Sequence, residues 1–338
     1  MSVASLKQVA QRAGVSVTTV SRFLNGSLHL PDLTRASIED AVLALNYVAN
    51  PHARRLSLGR ADTIGLVIPD IATPFFATLV AAVEEEADRR GLALALHATL
   101  NRTGRELTYL QSILRHQVDG VIFVTNHPDD GTLAAAINAS GRVVILDEDV
   151  PDTTAPKLFC DNDQGGYLAG QYLARAGHAR VLFVGAENTL SSGARRFAGF
   201  HRAMTEIWGN TCDIARFSGE YSVDLGRNAA EYIFAQAPDV TAIFCTSDEI
   251  TIGVLEVFAA RGVRVPHDIS IVGFDDVGPQ HLFSSPITSV RQPVRALGQR
   301  ALALLLDTDW TETEKLPPEE LMPVTLIERS SVAPPVRP

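Results

Sequence analysis

Side chains that can read the edges of DNA bases are concentrated in one short segment near the N-terminus, at Val17, Thr18, Ser21 and Arg22. An arginine can bind a guanine edge through two hydrogen bonds, and a threonine can bond a base or a phosphate. A valine can contact the methyl group of thymine. These residue types, spaced as on the outward side of one helix, are typical of a helix that lies in the major groove of DNA.

Two short helices joined by a glycine would position those side chains. Ser5 and Gln8 form an S-x-x-Q capping box, which predicts a first helix over about residues 6–13. Gly14 permits the left-handed turn that a side chain would resist, and Ser16 is placed to cap a second helix. The spacing therefore predicts a helix-turn-helix.

A third helix would close the small core of this segment. The second helix directs Val20, Phe23 and Leu24 back towards the first, and residues 32–45 supply a third helix with Asp32 as its expected cap. Any small helical hairpin shows apolar residues at such spacing, so a structural role without DNA is the alternative interpretation of the pattern alone.

The distribution of charge favours a nucleic-acid partner for the N-terminal segment. The 338-residue chain has a net charge of −10, whereas residues 1–60 carry seven basic and three acidic groups. A basic segment supplies the attraction to phosphates that DNA binding needs, and an acidic remainder discourages non-specific binding elsewhere. Random clustering of surface charge is the alternative.

Composition predicts a large globular protein without a membrane-spanning segment. With 46% hydrophobic residues the chain can bury a sizeable core in two or three domains, and no apolar run approaches eighteen residues. The N-terminus lacks the pattern of an export signal, so we expect the protein in the cytoplasm, associated with the nucleoid when it binds DNA. Its three cysteines are widely spaced, which predicts neither a disulfide nor a metal site, and we expect no cofactor.

From residue 62 onwards, short apolar runs alternate with helical stretches, which predicts parallel sheets with helices on both faces. A break at 147–162, with several Asp and Pro residues, separates two similar halves. The predicted fold class is an all-α helix-turn-helix head plus an α/β body of two doubly wound parallel-sheet subdomains. A ligand cleft is expected at the carboxyl ends of their strands.

Several stretches follow the order of a known family. Residues 9–26 read VAQRAGVSVTTVSRFLNG, Leu45-Asn46-Tyr47 follows, and the body contains IGLVIPD at 64–70, RFAGF at 196–200 and VGFDD at 272–276. In these stretches the chain resembles the LacI/GalR family of bacterial transcription regulators. Its body also resembles the periplasmic sugar-binding proteins, which implies subdomains of the periplasmic-binding-protein type.

The resemblance sets the predicted domain boundaries, because the family's chain crosses between its subdomains several times. We predict a helix-turn-helix domain at 1–49, a hinge helix and linker at 50–60, an N-terminal effector-binding subdomain at 61–161 plus 292–321, a C-terminal one at 162–291 plus 322–330, and a Pro-rich tail at 331–338. That tail cannot form a coiled coil, so a homodimer is expected rather than a tetramer.

The hinge is predicted as a short helix from Pro51 to Leu58, which Asn50 can cap and Gly59 can end. A helix of this length is marginal alone in water, so we expect it to fold on DNA. The resemblance implies that two such helices pair over the minor groove, where Leu56 would wedge into a base step. The complete set of predicted DNA-binding residues is Ser5, Ser16, Val17, Thr18, Thr19, Ser21, Arg22, Asn25, Ala53, Arg54 and Leu56.

For the cleft, the resemblance implies that Arg196 and Asp275 hold the effector. A guanidinium and a carboxylate suit a polyol, because each sugar hydroxyl both donates and accepts hydrogen bonds. The predicted effector-binding residues are Phe75, Phe76, Arg196, Tyr221, Ser247, Asp275 and Gln292. Weaker candidates are Thr73, Asn126, Asp161 and Ser192.

We therefore predict a transcriptional regulator, most simply a repressor, that binds a pseudo-palindromic operator as a dimer under the control of a sugar. Ser247 and Thr73 stand where many sugar-binding relatives carry asparagine, so a purine or nucleoside effector is the alternative. A sugar receptor that does not bind DNA is a more remote one. An enzyme is not expected, because the sequence has none of the motifs G-x-S-x-G, H-E-x-x-H, G-x-x-x-x-G-K-[ST] or strand-linked G-x-G-x-x-G.

Overall fold

The computed structural model describes residues 4–24, 28–47, 61–115, 117–186, 190–311 and 319–336. The chain forms two compact units, residues 1–62 and 63–338. No helix in the described ranges is long and apolar enough to cross a membrane.

The N-terminal unit contains a helix-turn-helix followed by a third helix, as predicted: α1 (Leu6–Ala13), α2 (Val17–Leu24) and α3 (Asp32–Ala44). Ser5 and Gln8 make the reciprocal bonds of the capping box, and Gly14 ends α1 with a left-handed φ of 68°. The prediction that Asp32 caps α3 was wrong. Pro31 occupies the cap position without a side-chain bond, and Asp32 is the first helical residue, where it pairs with Arg35.

The first sheet of the body is parallel throughout, with the strand order β11-β5-β4-β3-β1-β2. Its strands are β1 (Thr63–Ile68), β2 (Ala93–Ala98), β3 (Val121–Phe123), β4 (Val143–Leu146), β5 (Lys157–Cys160) and β11 (Glu320–Met322). The accompanying helices are α4 (Pro74–Arg89), α5 (Thr103–Leu114), α6 (Thr132–Ser140) and α11 (Val294–Asp307). Strands β1, β3 and β4 are almost entirely buried, as expected for a sheet covered on both faces.

The second sheet has the order β12-β10-β9-β8-β6-β7, and only β12 runs antiparallel to its neighbour. Its strands are β6 (Arg180–Gly185), β7 (Asp213–Ser218), β8 (Ala242–Cys245), β9 (Ser270–Asp275), β10 (Thr288–Arg291) and β12 (Thr325–Ile327). Its helices are α7 (Asn162–Arg175), α8 (Ser191–Trp208), α9 (Val223–Gln236) and α10 (Asp248–Arg261). This is the second doubly wound half that the alternating pattern predicted.

Over the residues that the structure describes, the chain crosses between the two sheets three times. It leaves the first sheet after β5, returns after β10 to form α11, and crosses again between β11 and β12. Met322 still pairs with Cys160 in the first sheet, whereas the predicted boundary lay between 321 and 322. The described tail, residues 331–336, contains neither helix nor strand.

Helices α7 and α8 approach closely because glycines lie at their contact. A Cβ atom on Gly199 would lie 1.9 Å from the carbonyl oxygen of Asp163, and one on Gly166 would lie 1.9 Å from the carbonyl oxygen of Arg196. Neither backbone oxygen can move away without separating the helices. The position of α8, and of every side chain it carries, therefore depends on these glycines.

Gly199→Ala is expected to lower the free energy of unfolding of the body by at least about 2 kcal/mol, because the added methyl group overpacks a backbone contact. The matched control is Gly104→Ala in α5, where a Cβ atom meets nothing within 4 Å. This control should raise stability by about 0.5–1 kcal/mol, since alanine restricts the unfolded chain. Urea unfolding followed by tryptophan fluorescence measures both effects, because Trp208 and Trp310 lie in the body. Equal stability of the two variants would contradict the close packing.

Candidate functional site

The loops that follow the strands of both sheets enclose a cavity of about 120 Å³. A cavity of this size suits a small ligand. Its lining residues come after β1, β2, β3 and β4 on one side and after β6, β7, β8, β9 and β10 on the other: Pro69, Asp70, Thr73, Phe75, Phe76, Asn101, Asn126, Asp147, Ser192, Arg196, Tyr221, Ser247, Glu249, Asp275 and Gln292.

The structure brings all seven main candidates from the sequence to this cavity, together with the weaker candidates Thr73, Asn126 and Ser192. Asp161 is the exception. It is the N-cap of α7, where its carboxylate accepts the backbone N–H of Gln164 at 3.0 Å. Its side chain therefore satisfies a helix terminus instead of lining the cavity.

Arg196 is a buried cation held by neutral partners. Its Nε donates to Asn162 Oδ1 at 2.8 Å, and its Nη1 donates to the carbonyl oxygen of Thr246 at 2.6 Å. The guanidinium carbon lies 3.8 Å from the centre of the Phe274 ring, a cation–π distance. Burial opposes the charge, but Tyr221, Asp275 and further acidic neighbours raise the pKa of Arg196 overall, so it stays protonated.

Asp275 ends β9 with a φ of 81°, and its carboxylate is held from two sides. One oxygen accepts Gln292 Nε2 at 2.6 Å, and the other accepts the backbone N–H of Asp248 at 3.2 Å. Burial raises the pKa of Asp275 above its ordinary value, against the opposing effect of Arg196. A hydroxyl donor from a ligand would therefore be bound strongly here.

The hydroxyl candidates also serve the local structure. Ser247 and Thr73 are helix N-caps, whose oxygens accept the backbone N–H groups of Ile250 and Phe76, both at 3.3 Å. Ser192 donates its hydroxyl hydrogen to Glu148 at 2.6 Å. As a cap, Thr73 keeps a hydroxyl hydrogen that can be donated to a ligand, whereas the Ser247 hydroxyl bonds the side chain of Glu249.

The aromatic candidates form walls of the cavity. Phe75 and Phe76 are both buried, and their rings meet edge to face with centroids 5.2 Å apart. Tyr221 lies before α9 rather than within it, because Ser222 caps that helix. The Tyr221 hydroxyl is 3.5 Å from Arg196 Nη1, and burial raises the pKa of Tyr221.

Acidic residues at the cavity were missed by the sequence prediction. Asp70, Asp147 and Glu249 line it, and Glu148 and Asp248 lie directly beside them. Burial is the main cause that raises the pKa of Asp147, and that of Asp248, to about 7. Asp147 follows β4 directly, so the rule that ligands bind at strand carboxyl ends could have found it.

In the N-terminal unit, Val17, Thr18 and Arg22 are exposed, whereas Thr19 and Ser21 are half-buried. Ser5 caps α1 as predicted. Ser16 accepts the backbone N–H of Thr19 at 3.0 Å, which leaves it a structural cap at the start of α2. Asn25, Ala53, Arg54, Leu56 and the predicted hinge helix lie outside the described residues.

Two known families match the chain. Residues 5–50 match the bacterial regulatory proteins of the lacI family. Residues 61–328 match the periplasmic binding proteins and sugar binding domain of the LacI family.

Individual relatives and solved structures agree over nearly the full length. The chain is 32% identical to the HTH-type transcriptional repressor PurR of Mannheimia succiniciproducens, over 97% of this chain and 98% of that protein. It is 33% identical to PurR of Erwinia tasmaniensis, over 98% of this chain and 97% of that protein. The Lac repressor dimer bound to operator and an anti-inducer superposes with a TM-score of 0.84 at 27% identity, covering 98% of this chain and 100% of that one. A complex of the regulator CelR with cellobiose superposes with a TM-score of 0.70 at 31% identity, covering 97% of this chain and 99% of that one.

The pH dependence of stability should reveal the Asp147 carboxylate. Because its pKa is raised in the folded protein to about 7, the folded state holds the proton more tightly than the unfolded chain does. Its contribution to stability is therefore present at low pH and is lost as the pH rises from about 4 to about 7. The free energy of unfolding of Asp147→Asn, relative to that of the wild type, should therefore increase by about 2 kcal/mol between pH 5 and pH 8.

Urea unfolding at pH 5, 6, 7 and 8 provides the measurement. The control is Asp88→Asn on the exposed side of α4, whose difference from wild type should not change across this range. A parallel pH profile for the two variants would show that Asp147 titrates as an ordinary carboxylate.

Proposed function

The chain belongs to the LacI family of bacterial regulatory proteins, and on that premise we propose that it is a DNA-binding transcriptional repressor controlled by a small molecule in the body cavity. The observation that carries the proposal is that one chain contains two sites. A helix-turn-helix exposes Val17, Thr18 and Arg22, and a cleft at the strand ends holds Arg196 and Asp275.

The DNA-bound form in this proposal is a homodimer on a pseudo-palindromic operator, because two-fold protein symmetry requires two matching half-sites. Arg22 reads a guanine edge, Thr18 a base or phosphate, and Val17 a thymine methyl group. The predicted hinge residues Ala53, Arg54 and Leu56 complete the contacts, with Asn25 at the end of the recognition segment. The structure of the Lac repressor dimer on its operator supports this arrangement by similarity.

The effector in this proposal is a monosaccharide-sized sugar. The cavity is small and combines aromatic walls with charged and hydroxyl groups. Regulators similar to this chain have been solved with bound ribose and with cellobiose. A purine or nucleoside is the second candidate, which the similarity to PurR repressors favours. Phe75 and Tyr221 could enclose a flat base from two sides.

The remaining parts of the proposal follow from this role. The chain acts as a regulator and not as an enzyme, takes an effector rather than a cofactor, and works in the cytoplasm, on the nucleoid when bound to DNA. We retain the predicted domains, with an N-terminal effector-binding subdomain of 61–161 plus 292–321 and a C-terminal one of 162–291 plus 322–330. Effector and operator affinities must be reciprocally coupled, because each ligand changes the same equilibrium between conformations.

Arg22→Ala is expected to weaken binding to the selected operator by about 10- to 100-fold for each half-site, since one bidentate arginine–guanine contact is worth about 1–3 kcal/mol and the dimer makes it twice. The operator is first obtained by selecting random duplex DNA on the full-length chain, which should yield a pseudo-palindrome. The control is Arg175→Ala in α7, which removes the same charge from the body. Equal losses in both variants, or selection of no symmetric sequence, would contradict the proposal.

Asp275→Asn should abolish the effector response, because an amide replaces the acceptor that two ligand hydroxyls would share. Asparagine tolerates the positive φ at this position, so the backbone conformation is retained. A thermal-shift panel of sugars, purine bases and nucleosides identifies the ligand, and its release of operator is then measured in wild type and variant.

The matched control for that experiment is Asp152→Asn, an exposed aspartate with a φ of 59° away from the cavity. It should respond to the ligand as the wild type does. A panel in which only bases or nucleosides raise the melting temperature would replace the sugar by the second candidate.

A further inference from the structure

The cavity carries more acidic groups than its arginine balances. Among the described residues that line it, Asp70, Asp147, Glu249 and Asp275 are acidic, whereas Arg196 is the basic one. No described carboxylate lies within ion-pair distance of Arg196, whose short hydrogen bonds go to an amide and a carbonyl oxygen. A buried carboxylate needs a counter-charge or a proton, because the charge alone is costly to keep away from water.

Three oxygen atoms on lining residues have no donor among the described residues. They are Asp147 Oδ1, Glu249 Oε1 and Gln292 Oε1, all of them buried. Gln292 is only 4% exposed, and its amide nitrogen is committed to Asp275, so its oxygen remains an acceptor. Each buried acceptor without a donor costs about 1–3 kcal/mol. These three lining residues therefore retain acceptors that a molecule rich in hydrogen-bond donors would satisfy.

Neighbouring acids show what a satisfied carboxylate looks like in this structure. Glu148 accepts the backbone N–H groups of Ser191 and Ser192, and Asp248 accepts those of Val277 and Gly278. These two carboxylates are occupied by the protein itself. By contrast, Asp147, Glu249 and Gln292, which line the cavity, each keep an unmatched acceptor.

We propose that the effector is a polyhydroxylated amine, such as an amino sugar, whose ammonium group is bound by Asp147 and Glu249 while its hydroxyls bind Asp275 and Gln292. This inference rests on the proposed function, since it specifies the ligand of the same cleft. An ammonium offers three donors and no acceptor, and it supplies the missing positive charge. Sugar phosphates and sugar acids are excluded by repulsion from the same carboxylates.

The ionisation of the site agrees with this assignment. Burial raises the pKa of both Asp147 and Glu249, and Asp275 raises each of them further, whereas Arg196 lowers both. The other titratable groups beside them are Asp70, Glu148, Asp248 and Tyr221. A bound cation would favour the charged carboxylates, so its binding should release protons. A neutral sugar would leave the protons in place.

Calorimetric titration of the full-length chain at pH 6.5 tests the proposal. The probes are D-glucosamine, D-galactosamine and D-mannosamine, each compared with its parent sugar and with the parent 6-phosphate. We expect at least one amine to bind tenfold or more tightly than its parent, with proton release visible as a dependence of the heat on the buffer. Parents that bind as well as their amines, tighter binding of a phosphate, or binding of none of the three amines at millimolar concentration would overturn it.

Glu249→Gln and Asp147→Asn identify the groups responsible. Each should reduce the preference for the amine over its parent by about tenfold and reduce the proton release. The matched control, Glu256→Gln on the exposed side of the same helix α10, should retain both. An unchanged preference in both cavity variants would overturn the assignment of the ammonium site.

Operator selection separates this inference from the proposed function. If the chain selects an operator that a neutral sugar or a base releases, only the amine assignment fails. If it selects no operator, the regulatory function fails, whereas an amine preference in calorimetry would still establish the ligand class.

Discussion

The body is organised around one buried guanidinium. Placing Arg196 out of water is costly unless its hydrogen bonds are made, and the structure meets this demand from several elements. Asn162 lies at the start of α7, Thr246 follows β8, and Phe274 in β9 provides the aromatic face. Arg196, in the second turn of α8, can reach all three because α7 lies against the α8 backbone at Gly166. The core packing of one subdomain thus fixes the group that faces the ligand.

The same helix end is attached to the other subdomain. Glu148, which follows β4 in the first sheet, accepts the backbone N–H of Ser191 at 2.6 Å and the hydroxyl of Ser192 at 2.6 Å. A carboxylate at a helix N-terminus is favoured by the orphan N–H groups and by the helix dipole. Arg195, four residues after Ser191 in the same helix, forms a bidentate pair with Glu319 beside β11. Its Nη1 and Nη2 donate to the two carboxylate oxygens of Glu319 at 2.6 and 2.9 Å. Cleft geometry and the position of Arg196 are consequently linked through α8.

Sequence patterns predicted most of this arrangement, because alternating apolar runs and helices specify where strands end. Phe75, Arg196, Ser247, Asp275 and Gln292 were found in that way or by family resemblance, and all line the cavity. Strands β5, β7, β10, β11 and β12 were not predicted. Asp161 was assigned to the cleft as a weaker candidate, although its side chain caps α7. Glu249 was missed because its significance lies in unmatched charge, which appears only when the two halves are brought together, whereas Asp147 was missed although it directly follows β4.

The adjacent carboxylates of Asp275 and Asp276 have different roles: Asp276 pairs with arginines, and Asp275 remains available to a ligand. Both residues have positive φ, 81° and 53°, a conformation that costs a non-glycine residue about 1–3 kcal/mol. Asp276 offsets this strain through charge-assisted bonds to Arg291 and Arg329, with its side chain only 2% exposed. The two arginines neutralise Asp276 and fix the turn, so the preceding carboxylate is directed to the opposite side of the chain. Asp275 is left without an arginine of its own, and its remaining capacity to accept hydrogen bonds is available to a ligand.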